Sequence, residues 1–231
     1  MEEERCDERY QDVCAYIRRL IEQGQLHLGD RLPTERALSQ ALGVSRGTVR
    51  DGLRLLESMG VLESRQGSGN YLSNHMGQYL AQSLHFMLLL GEIDYQSINR
   101  MRRAVELQSY RLAVQTCTAE QIHNLWTIQQ ELERTRSAEN DEAFHVAIIE
   151  LGGDPLMRMV SDALSDVIGH LITQFLSRGA QELLHQTLDS HRRIVECLEQ
   201  RRADAGCAAI ARHYDIVDAE IARWQAERRN K

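Results

Sequence analysis

Apolar residues recur every three or four positions along most of this chain, and the breaks fall at glycines and at hydroxyl or acidic caps. Thr34 is placed to cap a helix whose apolar positions Ala37, Leu38, Ala41 and Leu42 share a face, and Gly43 stands where a left-handed residue would end it. Ser45 can cap a second helix, with Val49, Leu53, Leu56 and Met59 on its buried stripe and Gly60 as its stop. Two short helices meeting at a glycine turn predict a helix-turn-helix. Val61–Arg65 and Asn70–Leu72 then read as strands around the glycine-rich tip Gln66–Gly69, which adds a hairpin wing.

After a polar joint at Ser73–Gly77 the helical period resumes. Segments Tyr79–Leu90 and Gln96–Cys117 precede a capping box, Thr118-Ala119-Glu120-Gln121, that opens a helix through Leu132. Glu139–Leu151 ends at Gly152-Gly153, Asp154-Pro155 supplies an N-cap and a first-turn proline for the next helix, and Gln181–Gln200 and Ala203–Arg228 follow. The predicted fold is mainly α. Residues 1–73 form a winged helix-turn-helix with a small β-hairpin wing, and residues 78–231 form an antiparallel all-α bundle of six or seven helices.

Composition fits that division. The chain has 231 residues, enough for two domains, and its 5% aromatic content and two prolines favour helices over a β-sandwich. Net charge is −7, with acidic residues concentrated before Val13, while Val13–Ser73 carries eight arginines against six carboxylates. Binding of a nucleic acid would therefore rest on a few placed arginines and on doubled contacts in a dimer, not on a broad positive field. Five scattered cysteines without a C-x-x-C pair predict reduced thiols. No basic-then-apolar leader opens the chain, and the longest apolar run, Phe86–Leu90, is too short for a membrane span; the expectation is a cytoplasmic protein with no membrane partner.

The second short helix presents Arg46, Thr48 and Arg50 from its first turns, donors suited to phosphates and to guanine edges in a major groove. Gly43-Val44-Ser45-Arg46-Gly47 also fits the G-x-S-x-G pattern of a hydrolase elbow, but an elbow needs a strand before the serine and the preceding residues have helical period. The stretch from about Tyr10 to Leu72 resembles the N-terminal winged helix of the GntR family of bacterial transcription regulators, through Gly29-Asp30-Arg31-Leu32-Pro33-Thr34-Glu35-Arg36, Val44-Ser45-Arg46, Val49-Arg50 and Gln66-Gly67-Ser68-Gly69. That resemblance implies double-stranded operator DNA as partner. It implies contacts from Arg36, Ser45, Arg46, Thr48 and Arg50, with Gln66 and Gly67 at a wing tip in the minor groove.

Nine histidines differ in their company. His123, His170 and His185 have polar or mixed neighbours one turn away, whereas His145, His191 and His213 each share a stripe with aliphatic residues, and Asp141 stands one turn before His145. One buried carboxylate with three buried imidazoles is unfavourable unless satisfied, either by hydrogen bonds within the core or by a divalent metal. Asp166 and His170 repeat the same i, i+4 spacing, so spacing alone does not choose between the pairs.

From about Leu80 to Ala226 the chain resembles the FCD ligand-binding domain of the FadR subfamily of GntR regulators, through Asp141-Glu142-Ala143-Phe144-His145, Ser190-His191-Arg192 and Arg212-His213-Tyr214. The resemblance implies that Asp141, His145, His191 and His213 bind a divalent metal, zinc first, with nickel and manganese as alternatives. It also places Arg102, one turn before Glu106, near an effector pocket, although the two side chains would equally suit a salt bridge with each other. The expected whole is a homodimeric regulator, a repressor, that binds a short near-palindrome and responds to a small carboxylate or hydroxy acid held at the metal. A regulator for which the ion itself is the signal, and a metal-dependent hydrolase, are the rival readings.

Overall fold

The computed structural model describes residues 2–177 and 181–229. Among them are ten helices and a two-stranded sheet: α1 (Glu2–Glu22), α2 (Glu35–Leu42), α3 (Arg46–Ser58), β1 (Leu62–Arg65), β2 (Gly69–Leu72), α4 (Met76–Leu89), α5 (Tyr95–Thr116), α6 (Ala119–Thr135), α7 (Ala138–Gly152), α8 (Pro155–Ser177), α9 (Gln181–Glu199) and α10 (Ala203–Arg229). The chain divides into two compact units, Met1–Leu80 and Ala81–Lys231, the division falling inside α4. None of the described helices is long and apolar enough to cross a membrane.

In the first unit the caps act as the composition predicts. Thr34 Oγ1 accepts from Ala37 N at 3.2 Å, Gly43 closes α2 at φ 67°, and Ser45 Oγ accepts from Thr48 N at 3.1 Å to open α3. Val49, Leu53 and Leu56 are buried, but Met59, expected on the same stripe, is 52% exposed because α3 ends at Ser58 and the chain turns away there. Ala37 and Ala41 are also exposed, and α2 is anchored chiefly through Leu38. The polar-rich start of the chain forms α1, whose Val13 and Ile17 cover α3, an element the apolar pattern had not declared. α1 and α3 approach so closely that a β-carbon on Gly52 would lie 2.7 Å from Val13 Cβ. β1 and β2 pair antiparallel in the register Leu62↔Leu72 and Arg65↔Gly69, and Gly29–Leu32 adds a short third rail through Leu32 N to Asn70 O and Leu72 N to Asp30 O, both 2.9 Å.

The second unit is built around α5. Asp94 caps α5, Thr118 and Gln121 form the predicted reciprocal box on α6, Ser137 caps α7, and Asp154 Oδ1 accepts from Leu156 N and Met157 N at 2.9 Å at the start of α8. One core joins α5, α6, α7, α9 and α10 around Tyr110, Phe144 and Leu198; a second joins α5, α8 and α10 around Ile98, Ile168 and Ile221. Two glycines let the neighbours of α5 come close. A β-carbon on Gly152 of α7 would lie 2.8 Å from Ser109 Cα, and one on Gly206 of α10 would fall onto the Tyr110 hydroxyl. These approaches draw α7 and α10 against the same face of α5, where the buried polar residues lie.

Replacing Gly52 with Ala is expected to destabilise the first unit by about 1–3 kcal/mol, as overpacking does in a close-packed core. Hydrogen exchange of α1 and α3 amides in the full-length protein measures this, and unaltered protection in both helices would contradict the close packing.

Candidate functional site

In the first unit, Arg36, Arg46, Gln66 and Gly67 are exposed, and Thr48 is half-buried. Ser45, expected beside the DNA, gives its oxygen to the α3 cap and lies 2.9 Å from Thr48 Oγ1. Ser45 thus follows α2, not a strand, which disposes of the hydrolase elbow. Arg50 is exposed but not free: its Nε and Nη2 donate to the two carboxylate oxygens of Glu35 at 3.3 and 3.1 Å. The Arg50 hydrogen bond holds the Glu35 carboxyl below its ordinary range. At the wing, Gly67 and Gly69 have φ of 72° and 107°, and Arg65 stacks 4.3 Å over the Tyr71 ring while it pairs with Glu63.

In the second unit the structure brings Asp141, His145, His191 and His213 together. The imidazoles are 2%, 0% and 3% exposed, and one ring nitrogen from each lies within 4.8 Å of the other two. α7 supplies Asp141 and His145, α9 supplies His191 and α10 supplies His213. His145 Nε2 is 3.9 Å from Asp141 Oδ2, and His191 Nε2 is 4.0 Å from Asp141 Oδ1. Those separations are too long for hydrogen bonds, and they suit donors sharing an ion at about 2.0–2.2 Å from each.

For His145 and His213 the far side of the ring settles which nitrogen faces inward. His145 Nδ1 lies 2.7 Å from Glu106 Oε2, which also accepts from the Tyr214 hydroxyl at 2.7 Å. His213 Nδ1 lies 3.1 Å from Ser190 Oγ, whose own proton goes to Thr187 O at 2.7 Å. With Nδ1–H donated outward in both rings, Nε2 carries the lone pair that faces inward, the arrangement that carboxylate and hydroxyl partners impose on metal-binding histidines. Among the described residues His191 has no hydrogen-bond partner on either nitrogen, and it stacks on Phe144 at 4.3 Å. A fully buried imidazole with both nitrogens orphaned is the group a cation would satisfy. An N3O donor set of this kind fits zinc and other divalent ions.

Burial, followed by the nearby His145, pushes His191 well below the ordinary imidazole range, and burial with both neighbouring rings does the same to His213. Burial opposes the His145 imidazolium too, yet the charge and hydrogen bond of Glu106, with Asp141, outweigh it and raise that group. Burial raises Asp141 against the pull of His145 and Arg102.

Arg102 of α5 is 7% exposed, and its guanidinium carbon lies 5.8 Å from the Tyr214 ring centre. Among the described residues this guanidinium makes no ion pair and donates no side-chain hydrogen bond; Glu106, its expected partner, serves His145 and Tyr214 instead. Arg102 lines a small inner cavity with Asp141, His145 and His213, and a larger outer one of about 360 Å³. His123 and His185 are exposed; Asp166 pairs with His85 at 3.4 Å; the His170 side chain lies outside the described residues. Tyr214 and Ser190 were not singled out from the sequence, although each adjoins a histidine that was.

Residues 9–72 match the model of bacterial regulatory proteins of the gntR family, and residues 97–216 match the FCD domain. The chain belongs to the GntR family. It is a DNA-binding transcriptional regulator with an FCD domain, and its relatives are regulators, not enzymes. The HTH-type transcriptional regulator LutR of Bacillus subtilis (strain 168) is 29% identical over 222 residues, 90% of this chain and 99% of its own. A regulator in Escherichia coli (strain K12) named for the L-lactate dehydrogenase operon is 26% identical, covering 94% of this chain and 87% of its own length. The Exu regulon transcriptional regulator of the same strain is 25% identical over 89% of this chain and 81% of its own. Among solved structures, Streptococcus agalactiae GntR superposes with a TM-score of 0.67 at 22% identity, covering 91% of this chain and 99% of that one, which shows a shared fold.

Two expectations follow for this GntR regulator. Glu106→Gln should lower metal affinity about 10–100-fold, the usual effect of losing a partner that orients a ligand; competition with a chelator measures it, and undiminished affinity would remove Glu106 from that role. In metal-free protein, His191 and His213 have depressed values, so each contributes stability present above the ordinary imidazole value of 6.5 and lost as pH falls, while raised His145 contributes in the opposite sense. Raised Asp141 acts with His145, so two groups oppose two; because His191 and His213 are held well below the imidazole range, acidification from about pH 7 to 5 should lower the melting temperature of the second unit. Both tryptophans, Trp126 and Trp224, lie there and report it by fluorescence; a rising melting temperature would refute the balance.

Proposed function

We propose that this regulator is a metal-dependent carboxylate sensor that represses transcription as a homodimer on a short near-palindromic operator. Asp141, His145, His191 and His213 would hold one divalent ion, zinc foremost, and the ion would supply open coordination positions for an effector's oxygens. The observation that carries the reading is Arg102: a buried guanidinium that makes no ion pair among the described residues, beside a cluster of inward-facing imidazole nitrogens. An unpaired buried charge is costly, and an effector carboxylate is the group that removes the cost. Glu106, Tyr214 and Ser190 orient the ligand rings. The name of one relative, tied to an L-lactate dehydrogenase operon, supports a metabolite of acid type.

On the DNA side, Arg46 and Arg36 would supply mobile guanidinium groups, and Arg50 a guanidinium oriented by Glu35, so that Nη1 is its free donor. Gln66 and Gly67 would enter the minor groove. Effector binding would lower operator affinity by favouring one arrangement of the sensor helices over another.

The test is metal analysis of untagged protein together with operator titration by fluorescence anisotropy. Near-stoichiometric metal is expected, lost in a His145→Ala/His191→Ala variant that stays helical. Metal-free wild-type protein would end the metal-centred reading. Arg46→Ala should weaken operator binding by about 1–3 kcal/mol if the side chain reads a base; unaltered affinity would strike it from the contacts.

A further inference from the structure

The two halves of the sensor cavity make opposite electrostatic demands. The inner part, about 30 Å³, is bounded by Arg102, Asp141, His145 and His213 with Ile172 and Phe175, and has room for a carboxylate head and little more. The outer part, about 360 Å³, shares Arg102, Asp141 and Ile172 with it; Glu139, Glu142, Asp162 and Asp166 stand on its wall, and small, hydroxyl and aliphatic residues of α7 and α8 complete the lining. Arg158 grips Asp162 at 2.8 and 2.9 Å, and His85 stands 3.4 Å from Asp166. Glu139 and Glu142 are exposed and make no side-chain ion pair or hydrogen bond among the described residues. Glu139 lies in the first turn of α7, where the helix dipole favours an acid. Asp162 and Asp166 have Arg158 and His85 beside them, but Glu142 has no such neighbour among the described residues, and it stands at the mouth of a cavity whose floor holds Arg102.

We propose that the effector is an amino acid, its carboxylate inward against Arg102 and its ammonium outward among the carboxylates of the rim. This rests on the carboxylate-sensor reading above and narrows it. A dicarboxylate of similar length would push its second charge into a region already holding four acids, and a plain hydroxy acid would leave Glu139 and Glu142 without a cation. An amine on the same carbon skeleton meets both demands, because charge complementarity is satisfied at each end of one small molecule.

The test uses the metal-loaded full-length protein and pairs of ligands matched in shape: L-alanine with L-lactate, 4-aminobutyrate with 4-hydroxybutyrate, and glutarate as the dicarboxylate. Calorimetry is expected to show the amine of at least one pair binding about tenfold tighter than its hydroxyl counterpart, with glutarate weakest. In a Glu142→Gln/Asp166→Asn variant that advantage should shrink to about twofold or less, with metal content and hydroxy-acid affinity unchanged. Hydroxy acids or glutarate binding as tightly as every amine would overturn the proposal and leave the carboxylate sensor standing. So would a preference for amines that survives in the variant, since the rim would then not be its source. If no carboxylate of any series binds, the sensor reading itself fails and this inference goes with it. Should the double variant not fold, the matched pairs on the wild-type protein decide alone.

Discussion

Three imidazoles, the Glu106 carboxylate and a guanidinium buried in the middle of a helical bundle, with the half-buried Asp141 carboxylate beside them, are the constraint on which the second unit depends. Each of those groups loses hydration on folding, and apolar packing returns nothing for a charge. The structure answers in layers. Glu106, itself wholly buried, spends one oxygen on both His145 and Tyr214; Ser190 takes the outward nitrogen of His213; Phe144 covers the face of His191. What these contacts leave over is a set of inward nitrogens, one carboxylate and Arg102. That remainder is the donor set on which the proposed metal and carboxylate site rests.

The layering depends on backbone proximity. Glu106 reaches α7 and α10 together only because Gly152 and Gly206 present no side chain to α5 at Ser109 and Tyr110. Packing and polar chemistry are therefore one arrangement: the glycines permit the approach, and the approach completes the ligand orientation. The same logic, on a smaller scale, governs the DNA-binding unit. Gly52 lets α1 lie against α3, so a helix of only 13 residues is held firmly enough to present side chains from its first turn.

Helix ends were legible because caps are local. Thr34, Ser45, Thr118 and Asp154 each bond a backbone N–H two or three residues ahead, and such a bond needs no partner from elsewhere in the chain. Met59 was misread for the complementary reason. Its spacing matches the apolar stripe, but α3 stops at Ser58, and whether a residue beyond a helix end is covered depends on what arrives from outside. Glu106 shows the same limit in the site: from spacing it could pair with Arg102 one turn away, yet His145 and Tyr214, 39 and 108 residues distant, take its oxygen. Glu35 and Arg50, 15 residues apart on different helices, could not be joined by pattern at all.

The amino-acid sequence by itself determined the winged helix-turn-helix, the seven helices that follow and the three histidines on apolar stripes, because periodicity and caps act within a turn or two of the chain, while spacing left Asp141 and Asp166 equivalent. The tertiary structure alone decided which nitrogens of His145 and His213 point at the centre, that Arg102 makes no ion pair among the described residues, that Arg50 is held by Glu35 and that acids gather at the mouth of the cavity. Those outcomes depend on side chains from four or five helices meeting in space, and the distance between helices is set by packing, which no local pattern encodes.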